Sequence, residues 1–406
     1  MTTPVKPFYK KILEKFIEGL LILSSTITSL TVVLIVFFLF EEGFSLFSKK
    51  PIEQGYVIAV NKNNPVKKLS ALEIKDIFDQ KITHWNKVGG NKDSIIVFRL
   101  EDISNYYTED QIGKNFENLS GCISNLTDSL SGIIACFPDK YLDKNFKGRQ
   151  LESENIKFSE FLTGKEWFPT AQPVAQLGVL PLILGTLWVS LGAILLALPL
   201  GLATAVYMSE IASNNVRRFM KPLIELLAGI PSVVFGFFGL VIIVPLVQKT
   251  FNLAVGETAL SGSIVLGIMA LPTIITISED AMRNTPRAMK EASLALGASK
   301  WQTIYKVVVP YSISGISSGA ILGIGRAIGE TMAVLMVTGN AAVIPHSILE
   351  PVRTIPATIA AELGEASSGG IHYKALFALG CILFVITLFI NLSVEFISNR
   401  QKHQKH

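Results

Sequence analysis

Six apolar runs, each too long for a water-soluble core, set the limits on what this chain can fold into. Residues 20–40, 182–208, 222–247, 260–277, 312–338 and 376–397 are each predicted to cross a membrane as a helix. About 20 apolar residues in a helix span the ~30 Å hydrocarbon layer, and a helix satisfies its own backbone polar groups where no water can reach them. With half of its 406 residues apolar, the chain is expected to be an all-α polytopic membrane protein with six transmembrane helices. Removal of run 20–40 as a signal peptide is the competing reading. That run is longer than the apolar part of such peptides, however, and it lacks a clean small-residue cleavage site.

Charge sets the expected orientation. The net charge of +4 is mild, and the basic residues sit in short loops, a pattern that argues against nucleic-acid binding. Lys6, Lys10, Lys11 and Lys15 lie in segment 1–19, and Arg217, Arg218 and Lys221 follow the second run. Arg283, Arg287, Lys290, Lys300 and Lys306 follow the fourth, and the tail 398–406 carries Arg400, Lys402 and Lys405. The opposite loops hold little beyond Lys249, Arg353 and Lys374. By the positive-inside rule both termini are expected in the cytoplasm.

Between the first and second runs, residues 41–176 turn charged and rich in Asn and Lys, with strand-like pieces at 56–60 and 95–98. An α/β extracytoplasmic insert is expected there, its lobe at 55–150, just long enough for a small core. Its Cys122 and Cys136 have two open readings: a disulfide worth about 3 kcal/mol in the entropy model, or two buried thiols. With Cys381 as the third cysteine, no zinc or iron–sulfur spacing exists. The stretch from Ile58 to Arg99, containing NPVKKLSALEIKDIFDQKITHWNKVGG, resembles part of a periplasmic phosphate-binding protein. In that family an Arg and then a phosphate-cradling Ser-Gly-Thr turn follow. Ser104, Asn105 and Tyr106 stand where that turn would be, without its Gly and Thr. The insert is also far shorter than a two-lobe binding protein, so a one-lobe relic or docking module is expected in preference to a second phosphate site.

Residues 285–310 form a polar island between apolar runs. Thr285 is the expected N-cap, Pro286 the first helical residue and Gly297 the left-handed residue that closes the helix. Ser299 then caps a second helix whose Trp301, Ile304, Tyr305 and Val308 form one apolar stripe, with Pro310 as its end or kink. Glu291-Ala292, with Gly297 six positions and Pro310 nineteen positions after the Glu, resembles the EAA signature of ABC-transporter permease subunits. Ser293 replaces the third Ala, and Val307 and Val309 replace the Ile and Leu. The resemblance implies that this loop docks in a cleft of a cytoplasmic ATPase. Ala288, Ala292 and Ala295 would permit close approach, and Glu291 could meet a basic partner group.

In run 312–338, Gly315, Gly319, Gly323 and Ala327 recur every four residues, a small-residue stripe on which another helix can pack. Arg326 and Glu330, four apart, are expected to meet on one face. Charges at the centre of the hydrocarbon cost at least about 2.5 kcal/mol each, so such residues face a bundle interior or a wet path. A buried ion pair and an anion path are the two readings. Pro231 and Pro272 within apolar runs mark either broken path-lining helices or packing kinks.

Three further stretches, ELLAGIPSVVFG (225–236), GRAIGETMAVLMVTGN (325–340) and PVRTIPATIAAELGEASSGGIHYKALFALG (351–380), look like the PstC-type permease of the phosphate ABC importer. That resemblance covers the chain from Phe161 onward, and Gly329-Glu330-Thr331-Met332-Ala333 departs from the GETAP of the sister PstA-type subunit. The large insert is unusual for the family. The resemblance implies a type I, MetI-like importer permease in the bacterial cytoplasmic (inner) membrane, with core 177–397 in membrane lipid. Its implied partners are a PstA-type permease subunit, two copies of a PstB-type ATPase and a PstS-type phosphate-binding protein. Phosphate would pass Arg326, with Glu330 positioning that side chain, while the ATPase moved the 291–310 region. There is no G-x-x-x-x-G-K-[ST] loop, so ATP and Mg are expected on the partner ATPase and no cofactor on this chain. No catalytic triad, hydrolytic carboxylate pair or metal cluster suggests an enzyme, and His84, His346 and His372 read as isolated. The alternatives are an importer of another oxyanion such as molybdate or sulfate, a secondary transporter, and a membrane phosphate sensor.

Overall fold

Each apolar run folds as a helix, and two of the runs are interrupted. The computed structural model describes residues 8–52, 55–113 and 115–403; Lys6 and Lys405 fall outside the described residues. Among these, six helices are long and apolar enough to cross a membrane: Glu14–Ser48, Leu180–Ile211, Ser232–Phe251, Ala259–Arg283, Lys300–Gly329 and Ile371–Ser393, numbered spans 1 to 6.

The expected span over 222–247 starts later. Asn214–Ala228 is a separate amphipathic helix, and the chain breaks at Gly229 and Ile230 before helix Ser232–Phe238. Pro231 causes the break: its ring disfavours a helical residue before it, and it caps the helix that follows. Pro272, by contrast, lies buried inside the continuous span 4. The expected span over 312–338 is broken as well. Span 5 ends at Gly329, Glu330 takes an extended backbone (φ −68°, ψ 133°), and Met332–Val337 forms a short helix of its own.

Span 4 is the centre of the bundle, because small residues let its neighbours approach. The Ser263 hydroxyl donates to Val189 O of span 2 at 3.2 Å, and Val189, Ala193, Val265, Leu266 and Met269 lie in the main core beside Val334 and Val337. Span 1 runs along span 6, where the Phe38 and Phe377 rings meet edge to face at 5.6 Å and the Phe40 and Phe384 rings at 5.9 Å. The rest of span 1 exposes Leu20, Leu21, Ile22, Leu34 and Ile35, a surface suited to hydrocarbon.

The insert is built around a four-stranded sheet ordered Ile96–Arg99, Ile133–Pro138, Tyr56–Val60, Arg149–Gln150. The first pair is parallel and the others antiparallel. Helix Ala71–Phe78 covers one face through Ile74, Ile77 and Phe78, and helix Leu119–Ser129 covers the other through Leu119, Ile123 and Leu126. A sheet buried on both faces needs apolar residues at successive positions, which Ile133-Ile134-Ala135-Cys136-Phe137 supplies. The same strand decides the cysteines. Neighbouring residues point to opposite faces, so Ala135 and Phe137 pack with Cys122 while Cys136 packs in the other layer. The sheet therefore separates the two sulfurs, no disulfide joins Cys122 to Cys136, and burial pushes the Cys122 thiol above its ordinary pKa. Where a phosphate-cradling turn would lie, Leu100–Asn105 is a 3₁₀ helix, and the Arg99 guanidinium sits over the Phe78 ring at 5.6 Å.

The lobe is seated on the bundle by mixed contacts. Lys75 pairs with Glu166 at 2.8 Å, and the Phe47 ring meets those of Phe158 and Phe161 at 5.3 and 5.6 Å. Leu46, Phe161, Trp167, Leu182, Ile355 and Leu376 close a shared apolar core beneath it.

Candidate coupling surface and translocation path

At the end of the bundle away from the insert, the 285–310 loop folds as helix Arg287–Ala295, which buries none of its residues. Pro286 is its N-cap. Thr285 does not cap it, because its buried hydroxyl faces that of Ser312 in span 5 at 3.1 Å. Gly297 adopts φ +84°, and the Gly297 and Ala298 amides donate to Leu294 O and Ser293 O at 3.0 and 3.2 Å, closing the helix. Ser299 and Gln302 form a capping box ahead of Lys300–Thr303.

Of the two readings of Pro310, an end or a kink, the end does not occur. A π-turn, Ile304–Val308, precedes it, and the helix continues as Val309–Gly329. The widened turn accommodates the proline ring and its missing N–H, so the loop joins span 5 without a gap. The expected apolar stripe splits: Ile304 and Val308 are buried, whereas Trp301 and Tyr305 are 64 and 55% exposed. Leu294 and Leu296 of the same loop are exposed too, as are Glu291, Ala292 and Gly297.

Beside this loop lies an ionic network that the sequence reading missed. Glu279, 2% exposed near the end of span 4, is paired with Arg217 and, at 3.1 Å, with Lys221 of helix Asn214–Ala228. Lys221 also meets Asp280 at 2.9 Å. The Asp280 carboxylate, and then that of Glu279, hold the Lys221 ammonium above its ordinary pKa against the opposing effect of burial. Lys290 of the loop helix pairs with Glu210, at the end of span 2, at 2.6 Å. A signal for the first cluster existed: Arg217 and Lys221 share a helix face at i, i+4, and two acids close the apolar run at Glu279-Asp280.

Gly315, Gly319 and Gly323 all face span 4. A Cβ on Gly315 would collide with that of Ala281, one on Gly319 would lie 3.2 Å from Ile277 Cβ, and one on Gly323 would lie 2.7 Å from Ile274 Cγ1. Arg326 occupies the last turn of this helix, partly buried. The expected meeting of Arg326 and Glu330 does not take place. Glu330 lies past the helix end, where i, i+4 geometry no longer applies, and its carboxylate accepts from the Ala333 amide at 3.5 Å. Among the described residues the Arg326 side chain has no hydrogen-bond or ion-pair partner.

At the insert end, Glu362 accepts from the Trp167 indole at 3.0 Å and pairs with Arg353 at 2.8 Å and His372 at 2.8 Å. His372 is thus part of a network, contrary to its isolated appearance in the sequence. Burial opposes ionisation of Glu362, but the bonds from His372 and Trp167 and the charge of Arg353 outweigh it and hold the carboxyl below its ordinary pKa.

Residues 197–403 match the family model of the binding-protein-dependent transport system inner membrane component, and residues 52–138 match that of a PBP superfamily domain. The probable ABC transporter permease protein YqgH of Bacillus subtilis is 42% identical over 243 residues, covering 60% of this chain and 78% of that protein. The phosphate transport system permease protein PstC of Mesorhizobium japonicum is 39% identical over 249 residues, covering 57% and 75%. Its counterpart in Xylella fastidiosa is 34% identical over 282 residues, covering 64% and 85%. With one family model spanning half of the sequence, and relatives matched over three quarters or more of their own length, the chain belongs to the family of binding-protein-dependent transport system inner membrane components.

Proposed function

We propose that this chain is the membrane-spanning permease subunit of an ATP-driven phosphate importer. It is a multi-pass inner-membrane protein and a transporter subunit, not an enzyme. Support for phosphate comes from the relatives whose names carry that substrate and from one side chain. Arg326 lies in span 5 with no ion-pair partner for its side chain among the described residues, beside the break at Glu330. An uncompensated charge at membrane depth is costly unless a wet path or a passing anion offsets it, and a guanidinium matches the oxygens of phosphate in two-pronged geometry. Arg326 attracts the anion transiently, and Glu330, across the break, moderates the field along the path.

The exposed Glu291, Ala292 and Gly297 dock on the ATPase, and Pro310 carries the loop's movement into the helix that bears Arg326. By its resemblance the chain pairs with a PstA-type subunit, two copies of a PstB-type ATPase that bind the ATP and Mg, and a PstS-type binding protein. Both termini lie in the cytoplasm, and the insert serves as a one-lobe docking module. Phosphate uptake by cells carrying Arg326→Gln tests this. Uptake is expected to fall about tenfold or more, the loss of one charge-assisted hydrogen bond, with the complex still assembled. Unchanged uptake overturns the role of Arg326, and competition by molybdate or sulfate in the wild type overturns the substrate.

A further inference from the structure

The loop helix Arg287–Ala295 buries none of its residues, so apolar packing does not hold it to the bundle. Only Lys290 and Ser293 within it are partly buried, three positions apart and so on one face. The Ser293 hydroxyl meets that of Thr303 at 3.0 Å, immediately before the π-turn Ile304–Val308 that leads into span 5. Lys290 Nζ lies 2.6 Å from Glu210 Oε1, and Glu210 belongs to the π-turn Tyr207–Ile211 that ends span 2. These two side chains are 22 and 11% exposed, so salt screens them less than a surface pair. Glu291, about 100° further round the helix, is exposed.

We infer that Lys290 and Glu210 form a second transmission contact, carrying displacement of the loop helix into span 2 in parallel with its route into span 5. The inference rests on the reading of the chain as the permease of an ATP-driven importer. Each inward side chain of the loop helix acts at or beside a π-turn, a widened turn that recurs at functional positions and inside otherwise regular helices. Spans 2 and 5 flank span 4, with Gly192 of span 2 against Ser263 and Gly319 of span 5 against Ile277. The chain joins the loop helix directly to span 4, through residues 284–286, and to span 5, through residues 296–299, but gives it no such connection to span 2. The ion pair makes both flanking spans follow the ATPase. Lys290 and Glu210 are positioning residues; neither touches the transported anion.

The test uses the whole importer complex in proteoliposomes supplied with inorganic phosphate and ATP, comparing wild type with Lys290→Met, Glu210→Gln and the exchange Lys290→Glu with Glu210→Lys. Both single variants are expected to assemble and to hydrolyse ATP at near wild-type rates. They are expected to import about tenfold less phosphate per ATP, within the range of coupling between two sites, and the exchange is expected to recover most of the ratio. An unchanged ratio in the single variants overturns the inference. An exchange as poor as the single variants also overturns it, as does loss of the ATPase from the Lys290→Met complex, which would make the pair part of the docking surface. A wild-type complex that hydrolyses ATP without importing phosphate would instead overturn the substrate reading.

Discussion

Glu279 and Arg217 form an ion pair between span 4 and the amphipathic helix Asn214–Ala228, with the glutamate 2% exposed. Lys221 meets the other carboxylate oxygen at 3.1 Å, so one buried acid holds two bases from one helix face. Removing a single partner of a buried pair leaves an uncompensated charge. Glu279→Ala is therefore expected to cost about 3–5 kcal/mol, and Glu279→Gln, which keeps a hydrogen-bonding group, less. Melting of the purified protein in detergent distinguishes them, and equal melting of wild type and Glu279→Ala would contradict the pairing.

Arg326 and Glu330 present the opposite case: a pair that spacing suggests and the backbone forbids. Glu330 is extended and turned towards Ala333, not back along the helix. With no shared partner, the two sites are expected to couple weakly, through the field along the path and not through a contact. A double-mutant cycle of Arg326→Gln and Glu330→Gln on phosphate uptake is expected to show coupling of about 0.5 kcal/mol or less. Coupling of about 2 kcal/mol would mean that the side chains meet during transport.

These two pairs mark how far the sequence could be read. Apolar runs gave the number of spans because hydrocarbon demands a continuous apolar helix of fixed length. Hydropathy is blind to a break inside such a run: Pro231 marks one as a break or a kink and the structure shows the break, whereas Gly329-Glu330 carries no proline to signal the interruption found there. The left-handed Gly297 and the Ser299 cap were legible because helix ends depend on local chemistry. The paired bases Arg217 and Lys221 and the acids Glu279 and Asp280 were visible as separate signals, but their meeting, like that of Glu210 with Lys290, was not, since only tertiary packing brings those residues together. Cys122 and Cys136 looked available to each other in sequence, and the pleat of one strand puts a sheet between them.

The glycines of span 5 divide into those that face span 4 and those that do not. A Cβ would collide with Ala281 at Gly315 and would lie 2.7 Å from Ile274 Cγ1 at Gly323, whereas one at Gly325 would meet no atom within 4 Å beyond its own stretch of helix backbone. Gly315→Ala and Gly323→Ala are expected to destabilise the protein by about 1–3 kcal/mol through overpacking. Gly325→Ala is expected to be neutral or stabilising by up to about 1 kcal/mol, because alanine favours the helix. If the three variants melt alike, the stripe does not set the approach of spans 4 and 5.

Glu362 ties the insert's base to the bundle, and its titration has a definite sign. Its pKa lies below the ordinary 4.5 in the folded protein, so around that pH the unfolded chain binds more protons than the folded one. Stability contributed by the carboxylate is fully present above the unfolded value and is lost as pH falls through the lower, folded one. The melting-temperature gap between wild type and Glu362→Gln is thus expected to shrink as pH falls below about 4.5. Because Trp167 donates to this carboxylate at 3.0 Å, its fluorescence, read against a Trp167→Phe control, should change over the same acidic range. A gap that widened as pH fell below about 4.5 would reverse the sign and contradict the lowered pKa of Glu362.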